Sequence, residues 1–364
     1  MKKLVMIVCL IFASCTKKEE SQGSGSNFTS EAVAKISAVS SDFTPESLNA
    51  DLGGSSVGAM NGNPCQGTNG LVDCQPNLLK LYLAVSKQQL DMVASIVSGV
   101  GAQLGQLEEG ASGTVNEDGM ILEYSKTDSL NWSITIRNAS NSNIAVYVLV
   151  ANNSYTLELN FANFPPEDGA PTQGSYQSII DYTDADTWSM TSTMLDSECN
   201  PDDVRAPQNI RIAMSKGSGL WKGKAMLYHP RWAEFSPDPT CATTPSDANG
   251  LNMFSDFVGD NTAAKMNVYM VKRTRAANAI TSHPLSDICN EYVGICDGGG
   301  QIGTETPASY PNSVCVEASN GAANWNSDCS AVTGGSSVAA ASFGPAGDWI
   351  APSSFYNMSI TVGP

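Results

Sequence analysis

From about residue 114 to residue 275 apolar side chains recur at every second position, and this period limits what the chain can fold into. Met120, Leu122 and Tyr124 alternate with Ile121 and Glu123, and Trp132, Ile134 and Ile136 alternate with Ser133, Thr135 and Arg137. Tyr155, Leu157, Leu159 and Phe161 alternate in the same way with Thr156, Glu158 and Asn160. A period of two places each set on one side of a strand. Ile144 to Val150, IAVYVLV, is an unbroken apolar run, as expected of a strand buried on both faces. The separators NASNSN and NNS are turn residues, and short turns can join only antiparallel neighbours. Further alternating runs hold Trp188, Met190 and Met194, then Ile210, Ile212 and Met214. In GLWKGKAMLY (219–228), Lys222 and Lys224 fall on one face and Trp221, Ala225 and Leu227 on the other. KMNVYMVK (265–272) is another such run, and FYNMSITV (355–362) reads as a last strand that returns to the main sheet. With about ten strands, an open sheet curls or splits. The expected fold is mainly β (α+β): a large antiparallel sheet, half-barrel or sandwich, with one long N-terminal amphipathic helix and a disulfide-rich loop lobe.

The period changes to three and four further upstream. Leu78, Leu81, Tyr82 and Val85, then Leu90, Val93, Ile96, Val97, Val100, Leu104 and Leu107, form an amphipathic helical stripe. Pro76-Asn77 gives a start signal and Gly110 a stop. Gly99, Gly101 and Gly105 weaken the second half. A shorter helix is expected up to Ala38, capped by Ser30 or Thr29. Residues 51–76 are rich in Gly, Asn and Pro and read as a loop.

The N-terminus is a different kind of segment. Lys2 and Lys3 precede the apolar run Leu4 to Ala13, which is too short to span a bilayer as a helix and has the layout of a secretory signal. Phe12-Ala13-Ser14-Cys15 resembles the lipobox of bacterial lipoprotein precursors, with Phe12 where that pattern usually has Leu. The resemblance covers only residues 1–15. It implies cleavage before Cys15, lipidation of Cys15 (palmitate among the acyl groups) and loss of Cys9 with the leader. Thr16 follows, and by the same resemblance the absence of Asp there points to the outer membrane, on either its periplasmic or its outer face. Residues 15–30 are polar and rich in Gly and Ser, as in a flexible tether. The expected organisation is a signal peptide (1–14), a lipidated tether (15–30), a helical segment with a stapled loop (31–113), an antiparallel β body (114–275) and a Gly/Ser/Asn-rich disulfide-stapled lobe with the final strand (276–364).

Charge excludes one class of partner. The formal net charge is −17, and removing residues 1–14 takes away two lysines and no acid, giving −19. A chain this acidic, with no basic stripe, is not expected to bind nucleic acid. Ten cysteines become nine on cleavage and eight once Cys15 is acylated. An even set in an exported chain points to disulfides. Eight cysteines admit on the order of 100 pairings. Short loop closures favour the sequential set Cys65–Cys74, Cys199–Cys241, Cys289–Cys296 and Cys315–Cys329. Zinc is not expected, because no spacing is Cys-x2–4-Cys and the histidines are only His229 and His283.

Several constellations bear on chemistry. Gly54-Ser55-Ser56-Val57-Gly58 matches G-x-S-x-G, but lacks the strand before and helix after that a nucleophile elbow needs. A Ser–His–Asp hydrolase would have to use His229 or His283, both followed by proline. Asp181, Asp184 and Asp186 are candidate calcium ligands without EF-hand spacing, and Asp196, Glu198, Asp202 and Asp203 repeat the acidic pattern around Cys199. No other cofactor is expected. Met190, Met194, Met214, Met226, Met266, Met270 and Met358 lie in expected strands, and methionine suits adaptable apolar binding surfaces. A long helix followed by a curling sheet resembles the half-barrel lipoprotein carriers of the Lol type, an architectural resemblance that implies apolar-ligand carriage. Trp132, Trp188, Trp221, Trp232, Trp325 and Trp349 are aromatics suited to glycan or protein binding where exposed. The reading is a non-enzymatic outer-membrane lipoprotein with a cell-envelope binding or structural role. Its partners would be the membrane, through the lipid, and an envelope protein, a glycan or an apolar ligand. Alternatives are a carrier of lipid or another apolar ligand in a helix-plugged half-barrel, and an envelope hydrolase.

Overall fold

A computed structural model describes residues 28–48, 71–104, 107–117, 119–164, 174–195, 209–229, 251–274, 279–281, 314–317, 329–345, 350, 355 and 358–364. Among these, the protein is mainly β, with a single antiparallel open sheet and few helices. Helix α1 is Phe28–Ser41 and α2 is Leu71–Leu104. The strands are β1 (Ser112–Glu117), β2 (Met120–Lys126), β3 (Asn131–Asn138), β4 (Ile144–Ala151), β5 (Ser154–Asn160), β6 (Ser175–Asp184) and β7 (Thr187–Leu195). They continue as β8 (Asn209–Gly217), β9 (Leu220–His229), β10 (Leu251–Gly259), β11 (Ala263–Thr274), β12 (Ala279–Thr281) and β13 (Val314–Glu317). From β1 to β12 each strand lies beside its successor, and β13 pairs with β11 over Ala263–Glu317 to Met266–Val314. The chain divides into two compact units. One comprises Met1–Phe43, Lys87–Ser192 and Ser359–Pro364; the other comprises Thr44–Ser86 and Thr193–Met358.

In the first unit the strand register carries the alternation straight into a core. Leu122 faces Ile136, Ile136 faces Val146, Val146 faces Leu159 and Leu159 faces Tyr176. The next row is Ile134, Val148, Leu157 and Ser178, and the third is Trp132, Val150, Tyr155 and Ile180. All of these are buried. Ile36, Val39, Leu90, Val93, Ile96, Val97, Val100 and Leu104 of α1 and α2 are buried with them. Gln89 of α2 accepts from the Ser192 hydroxyl of β7 (3.1 Å), Lys35 of α1 donates to Asn153 in the β4–β5 turn (2.9 Å), and Phe43, just after α1, stacks on Trp188 of β7. The end of α2 is held by Lys126, whose ammonium donates to the carbonyls of Leu104 (3.2 Å) and Leu107 (2.5 Å). A cation at a helix C-terminus meets the orphan carbonyls and the negative end of the dipole.

In the second unit both faces of the sheet carry buried side chains. One face carries Ile212, Ala225 and Ser255 in register, then Met214, Gly223, Phe257 and Met266. The opposite face carries Met226, Asp256, Val258, Ala263, Lys265 and Cys315, all buried. Gly223 is tight on both sides. A Cβ there would strike the Phe257 ring, while Gly344 approaches its backbone from the other side. The β8–β9 hairpin turns through Ser218 (φ 53°) and Gly219 (φ 72°), two left-handed residues as a two-residue hairpin loop favours.

Several expectations are corrected. Tyr147 and Leu149 in β4 are half-exposed, so IAVYVLV is buried on one face only, its second apolar set lying on a partly open side. Helix α2 begins at Leu71, so residues 71–76, Cys74 included, are helical and not loop. It ends at Leu104, short of Gly110, where Lys126 takes up the last carbonyls. Helix α1 starts at Phe28, inside the expected tether. Residues 358–364 are not a strand; Gly363 has φ 123°, outside the extended region, and its N–H goes to the Glu158 carboxylate (2.9 Å), not to a ladder. Strands β1, β6, β10, β12 and β13 were not among the expected ones.

Candidate functional site

The half-open face of the first unit is the candidate binding face. By register it holds the row Glu123, Thr135, Tyr147, Glu158 and Gln177, and beside it Ser133, Leu149, Thr156 and Ile179. Ile121, Tyr147, Leu149 and Ile179 are neither buried nor fully exposed. Polar groups fix the surface between them. Arg137 pairs with Glu123 at 2.9 Å, and Glu158 accepts from Gln177 (2.8 Å) and from the Gly363 N–H (2.9 Å). Burial, and then the negative charge of Glu158, raise the pKa of the Tyr147 hydroxyl. The face can offer apolar contact and a phenol within a fixed set of hydrogen-bonding groups. Sequence reasoning missed it because it took the apolar residues of β4 as core.

The other face of β9–β11 in the second unit is covered by residues 329–345, which include a helical turn at Cys329–Ala331 and the short helix α3 (Ser336–Ala339). Val258, Ala263, Cys315, Cys329, Val332 and Val338 form one buried cluster, flanked by Leu220, Ala341 and Phe343. The Cys315–Cys329 disulfide closes it, one of the four expected pairings. Lys265 Nζ donates to the carbonyls of Ala339 (3.0 Å) and Ala341 (2.6 Å) and lies 4.8 Å from the centre of the Phe343 ring. Burial lowers its pKa. The Thr333 N–H donates to Glu317 (2.6 Å), and the Ser337 hydroxyl donates to Asp260. Asp260 also accepts from Thr262 N–H (2.8 Å), Thr262 Oγ1 (2.6 Å) and Ala263 N–H (2.9 Å). Burial pulls its pKa up, but the bonds from Ser337, Thr262 and Ala263 outweigh this and leave it lowered.

The other expected site residues fall as follows. Met214 and Met266 share a face; Met226 lies on the opposite one, where its sulfur accepts from the Ile350 N–H (3.4 Å). Met190, Met214, Met226 and Met266 are all buried, and Met194 and Met358 are half-buried. Asp181, Asp184 and Asp186 are exposed at the β6–β7 hairpin, where Asp184 accepts from the Asp186 N–H (2.8 Å). Among the described residues no group of three or more His, Cys, Asp or Glu side chains is placed to hold a metal ion. Trp132, Trp188 and Trp221 are buried, the last under Lys216 at 4.6 Å. His229 ends β9, opposite Leu251. Cys9, Cys15, Cys65, Cys199, Cys241, Cys289, Cys296, Gly54–Gly58, Asp196, Glu198, Asp202, Asp203, Trp232, His283, Trp325 and Trp349 lie outside the described residues, as do the side chains of Cys74, His229 and Met270. Among the described residues no helix is long and apolar enough to cross a membrane. No family model, curated protein or solved structure matches the chain.

Proposed function

We propose that the protein is an exported lipoprotein, held at the outer membrane through Cys15, whose folded part has a non-enzymatic binding or structural role in the cell envelope. The observation that carries this reading is the Cys315–Cys329 disulfide, because such bonds persist in oxidising compartments. The half-exposed apolar residues Ile121, Tyr147, Leu149 and Ile179 support a binding role, since loops and faces carried by a rigid sheet are suited to recognition. The same reading takes the open sheet as a half-barrel, α2 as its long N-terminal amphipathic helix, and the C-terminal region as a disulfide-stapled lobe. The carrier alternative is less well served, because the methionines that would line its cavity are divided between two faces of β8–β11 or closed into a core.

Labelled palmitate should enter the wild-type chain and not Cys15→Ser, and only the wild type should float with membranes. An unlabelled wild type, or a membrane-bound Cys15→Ser form, would remove the anchor. Native mass spectrometry of protein from its own host separates the roles: a retained lipid favours the carrier, and a bare chain favours the envelope binder.

A further inference from the structure

The segment 329–345, CSAVTGGSSVAAASFGP, contains no charged residue and little apolar bulk. Charged groups of β11, β13 and the β10–β11 turn hold it: Lys265 donates to two carbonyls, Glu317 accepts from one amide and Asp260 from one hydroxyl. By register, the same sheet face continues with Lys222 opposite Val258 and Lys224 opposite Asp256. Three apolar side chains of the segment, Cys329, Val332 and Val338, enter the cluster, and one of these is half of the disulfide. A few polar ties to a segment of small residues are individually worth little beyond what they replace in water. The covalent bond is the one tie that does not exchange with water.

We infer that residues 329–345 form an oxidation-latched cover, seated over β9–β11 and β13 only once Cys315 and Cys329 are joined. Closure moves two electrons and two protons from the two thiols to a disulfide donor, which leaves as a dithiol, while the Sγ–Sγ bond forms. With the thiols free, the cover lifts from the sheet, and Lys265 exchanges the Ala339 and Ala341 carbonyls for water. Once formed, the bond is shielded, since Cys315 is fully buried and Cys329 is 6% exposed, so a reductant reaches it slowly and prolonged exposure to a dithiol is needed to open it. The inference rests on the export reading only for the source of the oxidant, and its test uses purified protein.

In the oxidised wild type, an amine-acylating reagent should label Lys265 slowly, and proteases should spare 329–345. In Cys315→Ser/Cys329→Ser, Lys265 labelling and cleavage within 329–345 should both be about 100-fold faster, the factor expected if closing this loop accounts for the stability of the cover. Residues 87–192 should keep their protection. If the variant does not fold, wild type reduced by a dithiol after folding, with the gain of hydrogens checked by mass, gives the same comparison. Lys265 labelled at the wild-type rate in the open form overturns the proposal, as does loss of protection throughout residues 87–192. Neither result depends on palmitate labelling, so the latch and the anchor can fail separately.

Discussion

Helices cover the buried sheet face of the first unit, whereas an irregular segment covers one face of the second, and the residues beneath differ accordingly. Under α1 and α2 the sheet offers mainly apolar side chains, Trp132, Ile134, Val148, Leu157 and Tyr155 among them, because a helix satisfies its own backbone along most of its length. Under residues 329–345 lie Lys265 and Glu317 of the sheet and Asp260 of the β10–β11 turn, along with Val258 and Ala263, because an irregular cover brings carbonyls and amides that need partners. What a sheet face is made of therefore follows from the backbone conformation of whatever lies on it.

The comparison can be broken most directly by truncating a core residue in each unit. Leu157→Ala should cost about 4 kcal/mol and Val338→Ala about 2 kcal/mol in denaturant unfolding. Equal costs would mean that the cover is as much an apolar core as the helix-covered face. Opening the disulfide with Cys315→Ser/Cys329→Ser should lower stability by about 3 kcal/mol, the amount expected for a loop of this length; a negligible change would make the polar ties sufficient. Lys126→Met should cost about 2 kcal/mol, because the Leu104 and Leu107 carbonyls lose their donor. That result would show that the end of α2 needs a charged tie. Glu158→Gln should cost about 1 kcal/mol, read by thermal unfolding, since an amide cannot replace both acceptor oxygens.

The smallest effect is one of pH. Asp260 has its folded pKa below the reference value of 3.8. Its ionised form therefore contributes stability that is present above that value and is lost as the pH falls through the lower, folded one. Asp260→Asn should be less stable than wild type near neutral pH, with the difference disappearing in strong acid. A difference that persists in acid would assign the loss to shape and not to charge.

The sequence was most readable where a strand has one wet side. In β3 and β5 the core-facing sets are led by Trp132, Ile134 and Ile136 and by Tyr155, Leu157 and Leu159, and the other sets are largely polar, so the period of two stands out. In β9 the separation of Lys222 and Lys224 from Trp221, Ala225 and Leu227 also matches the structure. Strand β6 was hidden because its buried row includes Ser178, and β10 because Ser255 and Asp256 are buried on its opposite faces. Strand β13 is four residues long, too short for a period to register. The cover was unreadable because Cys329, Val332 and Val338 follow neither a helical nor a strand repeat. The Cys315–Cys329 pairing was legible from loop entropy, but the role of Lys265 was not. Its partners are backbone carbonyls, and these leave no mark in a sequence.

The strand order has a consequence for how such a chain folds as it emerges. When each strand's neighbour is the one just before it, a polypeptide threaded out head first can zip its sheet as it emerges, with little waiting for distant partners. Among the described strands β13 alone must reach back past later residues to find β11, so the last piece of knitting is also the one that needs a thread drawn tight.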